Sequence, residues 1–400
     1  MIKNLIYSLV SGLLLGLTWP EITNFPALIF VAFVPVFFLA KNHKNSPWQA
    51  LFLWTFLSFF IWHLIAVYWM VYSSYLAAIT AWIINSFLMA MVFTSAFYSH
   101  KLLKRIPFIL FLIAYWLGFE IFHLFWDLKW PWMTLGHVFA NKTHWIQWYE
   151  YTGVYGGSIW VLLINYLIFK SLNKQEKPFY RILIFSFTAI LLLLPIWWAH
   201  NLLNKTSVGS KSLNISVLQP NIDTYTEKFN GLSDLQQSEK IIQLLENTPS
   251  NSDLILLPET VINTNFDFGE KLPFSYILQF FENYIQQNGG ADWWKDTPGY
   301  RQHFAYARVR AIENRRPIAR SANTGISGFI DAYGNILEQS QYKTETLLTT
   351  TICYGYPLTF FSKKEPIIRY LLASMAILLG LMSIIKSLWD NKKSRKWSKK

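Results

Sequence analysis

Apolar residues in this chain form long runs over the first 200 positions, short broken runs over the next stretch, and one last run before a basic end. Crossing a hydrocarbon layer takes roughly 20 apolar residues. The runs near 4–19, 26–40, 50–71, 76–98, 107–125, 155–171, 181–200 and 367–387 predict eight membrane spans, seven before the polar stretch and one after it. The first two are short, which implies little tilt or a locally thinned bilayer. The first also resembles a signal peptide, with Lys3 ahead of it and Ser11-Gly12 near its middle, but the next apolar run begins almost at once, so an uncleaved span is expected.

The polar stretch changes period. Residues 214–219 read as a strand that Pro220 ends. Residues 233–246 have helical spacing, with Leu235, Ile241, Ile242, Leu244 and Leu245 apolar and Ser233 as N-cap. Residues 253–257 read as a second buried strand, stopping at Pro258-Glu259. Strand, helix and strand in that order predict a βαβ unit, with Glu259 at the strand end where open α/β sheets bind ligands. A helix follows over 300–316, with Arg308, Arg310, Glu313 and Arg315 on its polar side, and Pro317 ends it. Residues 318–330 are strand-like with a break at Asn323-Thr324-Gly325, and Asp331-Ala332-Tyr333-Gly334-Asn335 is a hairpin turn.

Composition agrees with this division. Of all residues 53% are hydrophobic and 14% charged, where a soluble domain carries about a quarter charged residues. The chain is expected to be an integral membrane protein. Net charge is +12, and Asn391–Lys400 supplies six of the positive charges. Directly after a hydrophobic span, that tail fits a cytoplasmic anchor facing anionic lipid better than a nucleic-acid arm. Basic residues follow the second span (Lys41, Lys44), the fourth (Lys101, Lys104, Arg105) and the sixth (Lys170, Lys174, Lys177, Arg181), whereas the loops near 20–25 and 72–75 have none. Positive residues face the cytoplasm, so both termini are expected there, and residues 201–366 on the opposite, periplasmic side of a diderm inner membrane. The aromatic loop 126–154 falls on that same side, as an interfacial belt or as one wall of a lipid-entry cleft. Cys353 is the only cysteine, which excludes an intramolecular disulfide and a CxxC site.

Several stretches together resemble the apolipoprotein N-acyltransferases. They are Val217-Leu218-Gln219-Pro220-Asn221-Ile222, Leu257-Pro258-Glu259-Thr260, Asp292-Trp293-Trp294 through Gln302-His303, and Arg320-Ser321-Ala322-Asn323-Thr324-Gly325-Ile326-Ser327. Trp130-Pro131-Trp132 and Gly153-Val154-Tyr155-Gly156-Gly157-Ser158 in the membrane half look similar too. The resemblance implies a membrane α-helical bundle of about eight spans plus an α/β nitrilase-like αββα sandwich. The expected organisation is a seven-span bundle over 1–200, a periplasmic domain over 201–366, a last transmembrane helix over 367–387 and a basic tail over 388–400. It also implies transfer of an acyl chain from a phospholipid to the N-terminal α-amino group of a diacylglyceryl-cysteine lipoprotein. Phospholipid, acceptor lipoprotein and membrane are the implied partners; no nucleic acid, cofactor or metal is expected.

That family's chemistry uses a glutamate general base, a cysteine nucleophile and a lysine that stabilises the oxyanion. Glu259 matches the base. Phe268-Gly269-Glu270 resembles the motif after the lysine, which makes Glu270 the supporting carboxylate. No lysine stands at 263–268, Lys271 follows the motif, and no cysteine lies between Glu259 and Asp292. The sandwich is therefore expected to be shortened by two segments, one after Ile262 and one near Gly290. Cys353, in Thr351-Ile352-Cys353-Tyr354-Gly355, falls after the Asp-x-Trp block, and a lone, rather apolar cysteine is usually inert. Two alternatives stand beside active transfer. One is a catalytically degenerate relative that only binds phospholipid or lipoprotein. The other is a transporter built on His63, Glu120 and His123.

Overall fold

Each predicted span is helical at its core. The computed structural model describes residues 1–126, 129–175, 177–204, 209–223, 227, 231–258 and 295–397. In chain order the first helices are α1 (Ile2–Leu17), α2 (Ile29–Ala32), α3 (Val34–Asn42), α4 (Trp48–Ala66), α5 (Tyr75–Leu102) and α6 (Phe108–Phe122). They are followed by a single turn, α7 (Tyr149–Thr152), then α8 (Val154–Leu172) and α9 (Pro178–Leu203). Helices α4, α5, α8, α9 and the C-terminal α12 (Phe360–Trp397) are long and apolar enough to cross a membrane; the helices of 2–17, 26–42 and 108–122 are apolar and shorter. The second predicted span is broken at Phe33, ahead of Pro35. Asn165 on α8 bridges the break, accepting from Phe33 N (2.8 Å) and donating to Ile29 O (2.8 Å).

Helices α1 and α4 meet where side chains are smallest. A Cβ on Gly12 or Gly16 would lie 2.6 Å from Ile61 or Ile65, the close approach that small residues permit between membrane helices.

The loop before α7 is not an aromatic belt. Trp132, Trp148 and Tyr149 are buried. Their polar tips bond inside the protein, Trp148 to Trp145 O (2.9 Å) and Tyr149 to Gly136 O (2.9 Å). The proposed transport residues are likewise tied locally. His63 Nδ1 lies 2.8 Å from Phe59 O, Trp126 donates to His123 (3.1 Å), and Glu120 Oε1 accepts from Trp116, Leu135 N and Ser158 (3.1, 2.9 and 3.0 Å). Glu120 thus holds the loop onto the bundle.

The soluble part has four layers among the described residues. Strand β1 (Lys211–Gln219) pairs in parallel with β2 (Leu254–Leu256), across the helix α10 (Asp234–Glu246), and antiparallel with β6 (Thr346–Tyr354). The second sheet joins β3 (Ile318–Arg320), β4 (Gly328–Ile330) and β5 (Ile336–Gln339), all antiparallel. Val217 and Ile215 on one face of β1 pack with Phe329, Leu256, Leu348 and Ile352 between the sheets. Leu218, on the opposite face, packs with Ile241, Leu244 and Leu245 of α10, as the alternation of a strand requires. The capping box at Ser233 forms with Gln236, but Leu235 is 60% exposed, outside the apolar face that α10 buries.

The outer layer of the second sheet is α11 (Pro298–Asn314). Its Tyr300, Phe304, Val309 and Ile312 share one continuous core with Ile326 and Ile330 and with the membrane bundle. Two residues expected on its polar side are inside. Glu313 and Arg315 are buried, because each reaches a bundle group across the helix.

Candidate site at the junction of the two halves

Because β1 and β2 are parallel, Gln219 and Leu256-Leu257-Pro258 arrive on the same side of the first sheet. β3 brings Arg320 there as well. Ser321 donates to Leu218 O (2.7 Å), Asn221 N to Asn323 O (3.1 Å) and Ile222 N to Asn323 Oδ1 (2.9 Å). Gln219 fastens this end. Its Oε1 accepts from Ser327 Oγ (2.6 Å) and Ser340 Oγ (2.8 Å), and its Nε2 donates to Gln341 O (2.9 Å) and Thr344 O (2.8 Å). A fully buried amide is stable only when so satisfied.

Helix α11 starts at the N-cap Thr297 with Pro298 in its first turn, and Gly299 lies against the Trp69 ring. Gln302 then points into the bundle at 0% exposure. Its Oε1 accepts from the indoles of Trp69 (3.2 Å) and Trp132 (2.9 Å), and its Nε2 donates to Pro20 O (3.0 Å) and Ala66 O (2.9 Å). One side chain thus ties α11 to three separate bundle loops. Tyr306, one turn on, accepts from Trp19 Nε1 (3.0 Å) and donates to Trp132 O (3.2 Å).

The neighbouring His303 lies 5.7 Å from the Trp132 ring at 36°. Its Nδ1 is 2.9 Å from Arg320 Nη2. A guanidinium only donates, so Nδ1 is the acceptor and the imidazole is neutral with its proton on Nε2. Burial, and then the Arg320 charge, hold the His303 pKa well below the usual imidazole range. The Arg320 guanidinium also sits 5.9 Å from the Phe304 ring centre.

The other end of α11 is fixed by charges. Glu313 accepts from Val154 N (2.6 Å) and Arg310 (2.6 Å). Arg315, left-handed at φ 48°, pairs with Glu150 (2.7 Å) and donates to Gln147 O (3.0 Å). Thr359, just before α12, donates to Glu313 O (2.7 Å).

Glu259 and Glu270, like Asp292, Trp293 and Trp294, lie outside the described residues; Pro258 is the last described residue ahead of Glu259. Cys353 stands opposite Ser212 on β6, at the far end of β1 from Gln219. Among the described residues no group of three or more His, Cys, Asp or Glu is placed to hold a metal ion.

A model described as the apolipoprotein N-acyltransferase N-terminal domain matches residues 11–167, and one described as carbon-nitrogen hydrolase matches residues 275–356. An apolipoprotein N-acyltransferase of Chlorobaculum tepidum is 22% identical, covering 94% of this chain and 96% of its own length. The chain belongs to the apolipoprotein N-acyltransferase family. Shorter matches are closer in identity. They include the apolipoprotein N-acyltransferases of Agrobacterium fabrum, 49% over 63 residues (16% of this chain, 12% of that one), and Haemophilus influenzae, 38% over 95 residues (24% and 18%). As an acyltransferase of this family, the protein sets a membrane bundle against a carbon-nitrogen hydrolase sandwich through α11. Gln302, His303 and Arg320 were visible in its sequence only as marks of resemblance. The spacing of 302, 306, 309 and 313, which puts Gln302 and Glu313 on one helix face with Tyr306 and Val309, was the signal that this face is buried and polar.

Proposed function

We propose that the protein transfers an acyl chain from a phospholipid to the α-amino group of a diacylglyceryl-cysteine lipoprotein, at the sheet end where β1, β2 and β3 finish. The observation that carries this is a likeness running through both halves, over 94% of the chain. The basic loops support eight crossings of an inner membrane with the sandwich on the periplasmic face. The alignment with the Chlorobaculum tepidum relative spans 518 positions, more than the 400 residues of this chain, which supports a sandwich shortened by internal segments.

In this reading Glu259 is the general base and Glu270 its supporting carboxylate. A thioester step needs a thiol at this end, and the only cysteine is seven strand residues away, opposite Ser212 rather than Gln219, a separation of roughly 23 Å. Direct transfer balances without one. The amine nitrogen attacks the ester carbonyl and the N–C bond forms. The C–O bond to glycerol breaks, and Glu259 carries the amine proton to the departing oxygen.

The test is to produce the chain in bacteria depleted of their own enzyme and to analyse lipoprotein N-termini by mass spectrometry. Triacylated N-termini are expected, lost with Glu259→Gln and kept with Cys353→Ala. Activity that survives Glu259→Gln removes this mechanism. Folded, inserted protein with no product favours a relative that binds phospholipid or lipoprotein without transfer.

A further inference from the structure

A cavity of about 490 Å³ lies between α11, the β4–β5 hairpin and the bundle loops that carry Glu21 and Asn141. Its near end belongs to the candidate site. Ser340 and Gln341 line it, and both are fastened to Gln219 at the end of β1. Tyr300, in the first turn of α11, lines it too and stacks on Tyr342 at 4.3 Å. From there the cavity follows β5 toward the hairpin turn, where Arg308 donates to Gly334 O (2.8 Å). The lining residues Arg301 and Arg308 stand about 10 Å apart along the helix, the length of about three residues of extended chain.

We propose that this cavity is a peptide groove. It takes the extended residues that follow the acylated cysteine of the acceptor lipoprotein, and it reads a charge about three residues on, at Arg308 and Glu21. The occupant rests on the acyl-transfer reading above, which puts the acceptor amine at the sheet end. The lining suits a polypeptide better than an acyl chain. Strand β5 is the outermost of its sheet among the described residues, with Ile336 and Gln339 on the cavity wall, and an edge strand pairs with extended main chain. The walls also carry charges of both signs, which an acyl chain would strip of water without replacing it. At the near end Arg301 and Asp296 pair directly (2.8 Å). At the far end Arg308 and Glu21 do not. Arg308 donates to Gly334 O and to Thr143 Oγ1 (3.4 Å), and Glu21 Oε1 accepts from Asn141 (2.6 Å). Burial lowers the Arg308 pKa, and the Glu21 and Asp331 carboxylates raise it, so both signs act within one space. Glu21 itself is held at φ 64°, a conformation uncommon for a residue with a Cβ. Because Glu21 and Asn141 come from the bundle, the groove is complete only while α11 is docked there.

The test uses the full chain in nanodiscs of ether-linked phosphatidylcholine, which holds no ester to transfer, at about 150 mM salt so that charges beyond roughly 8 Å are screened. The probes are two fluorescent diacylglyceryl lipopeptides, Cys-Ser-Asn-Glu and Cys-Ser-Asn-Lys, with binding read by anisotropy and empty nanodiscs subtracted. Arg308→Gln is expected to shift the ratio of the two affinities about threefold or more toward the Lys peptide, and Glu21→Gln about threefold or more toward the Glu peptide. Glu246→Gln, on the exposed side of α10, should leave the ratio in place. Structural damage weakens both peptides alike, so a ratio that moves less than about twofold in either folded variant overturns the proposal. A wild type that binds neither peptide above the empty nanodisc does the same. Glu21→Gln keeps the oxygen that Asn141 needs, and it decides alone should Arg308→Gln fail to fold. The assay reads binding and not turnover. Charge discrimination without triacylated product in cells counts against the transfer reading and leaves the groove standing, whereas product without discrimination removes the groove alone.

Discussion

Replacing Gln302 by Leu keeps the volume of the side chain and removes its amide. Four buried groups then lose the partner they have now: the Trp69 and Trp132 indoles and the Pro20 and Ala66 carbonyls. A buried polar group stripped of its hydrogen bond costs about 1–3 kcal/mol. The four share one partner and do not add independently. Taking the low end for each and allowing for the apolar surface that leucine buries, the loss is about 3–4 kcal/mol, a large part of the about 5–15 kcal/mol that holds a domain folded. The damage should fall on the contact between α11 and the bundle. Thermal melting of the full chain in detergent is expected to drop by about 5 °C or more, with new protease cleavage ahead of Pro298. A melting point within about 1 °C of wild type would refute the reasoning. Gln302→Glu refines the same test. Its carboxyl can still accept from both indoles but, when ionised, offers nothing to the two carbonyls. Burial raises its folded pKa above the unfolded value of about 4.3. The folded state then binds more protons in that window, so stability should rise as pH falls through it.

Gly136→Ala places a Cβ 2.2 Å from Val154 O, a backbone atom that cannot move aside; the yield of monodisperse protein should collapse, whereas Leu235→Ser on exposed α10 surface should leave it unchanged. Glu313→Ala leaves the buried Val154 N without its acceptor and should cost about 1–3 kcal/mol, read as a lowered melting midpoint. His137 is held at about 3 by burial and then by Arg310, so it stays neutral while an unfolded imidazole would charge below about 6.5. Its folded pKa is depressed, so stability present above about pH 6.5 is lost as pH falls toward 3, at up to about 1.4 kcal/mol per pH unit; His137→Gln should flatten that acid limb in melting midpoints taken from about pH 7 to 4.

The helices and the first βαβ unit were legible because each is local. An apolar run of span length, a capping box at Ser233 and Pro220 or Pro317 as a stop state their own structure. The polar interior of α11 was less so. Glu313 and Arg315 carry charges that sequence reasoning places in water, and only the bundle loop that supplies Val154 N, Glu150 and Gln147 makes their burial stable. The loop around Trp132 was misjudged for the same reason. Tryptophan at a membrane boundary has an interfacial preference, but here the indole finds Gln302, some 170 residues away in sequence. Pairings of that separation leave no periodic trace.

The shared core makes the bundle a support for the second sheet. The second sheet here does not rely on strands alone, because Ile326 and Ile330 belong to the same buried cluster as Phe304, Val309 and Ile312 of α11, and that cluster continues into Trp132, Tyr149 and Val154 of the bundle. The membrane half thus acts as a layer of the soluble half. The polar ties at Gln302, Glu313 and Arg315 fix the orientation that apolar packing would leave loose. The ends of β1 and β3 are thereby tied to the bundle, through Ser321 at Leu218 O on one side and through Gln302 at Trp69 and Trp132 on the other.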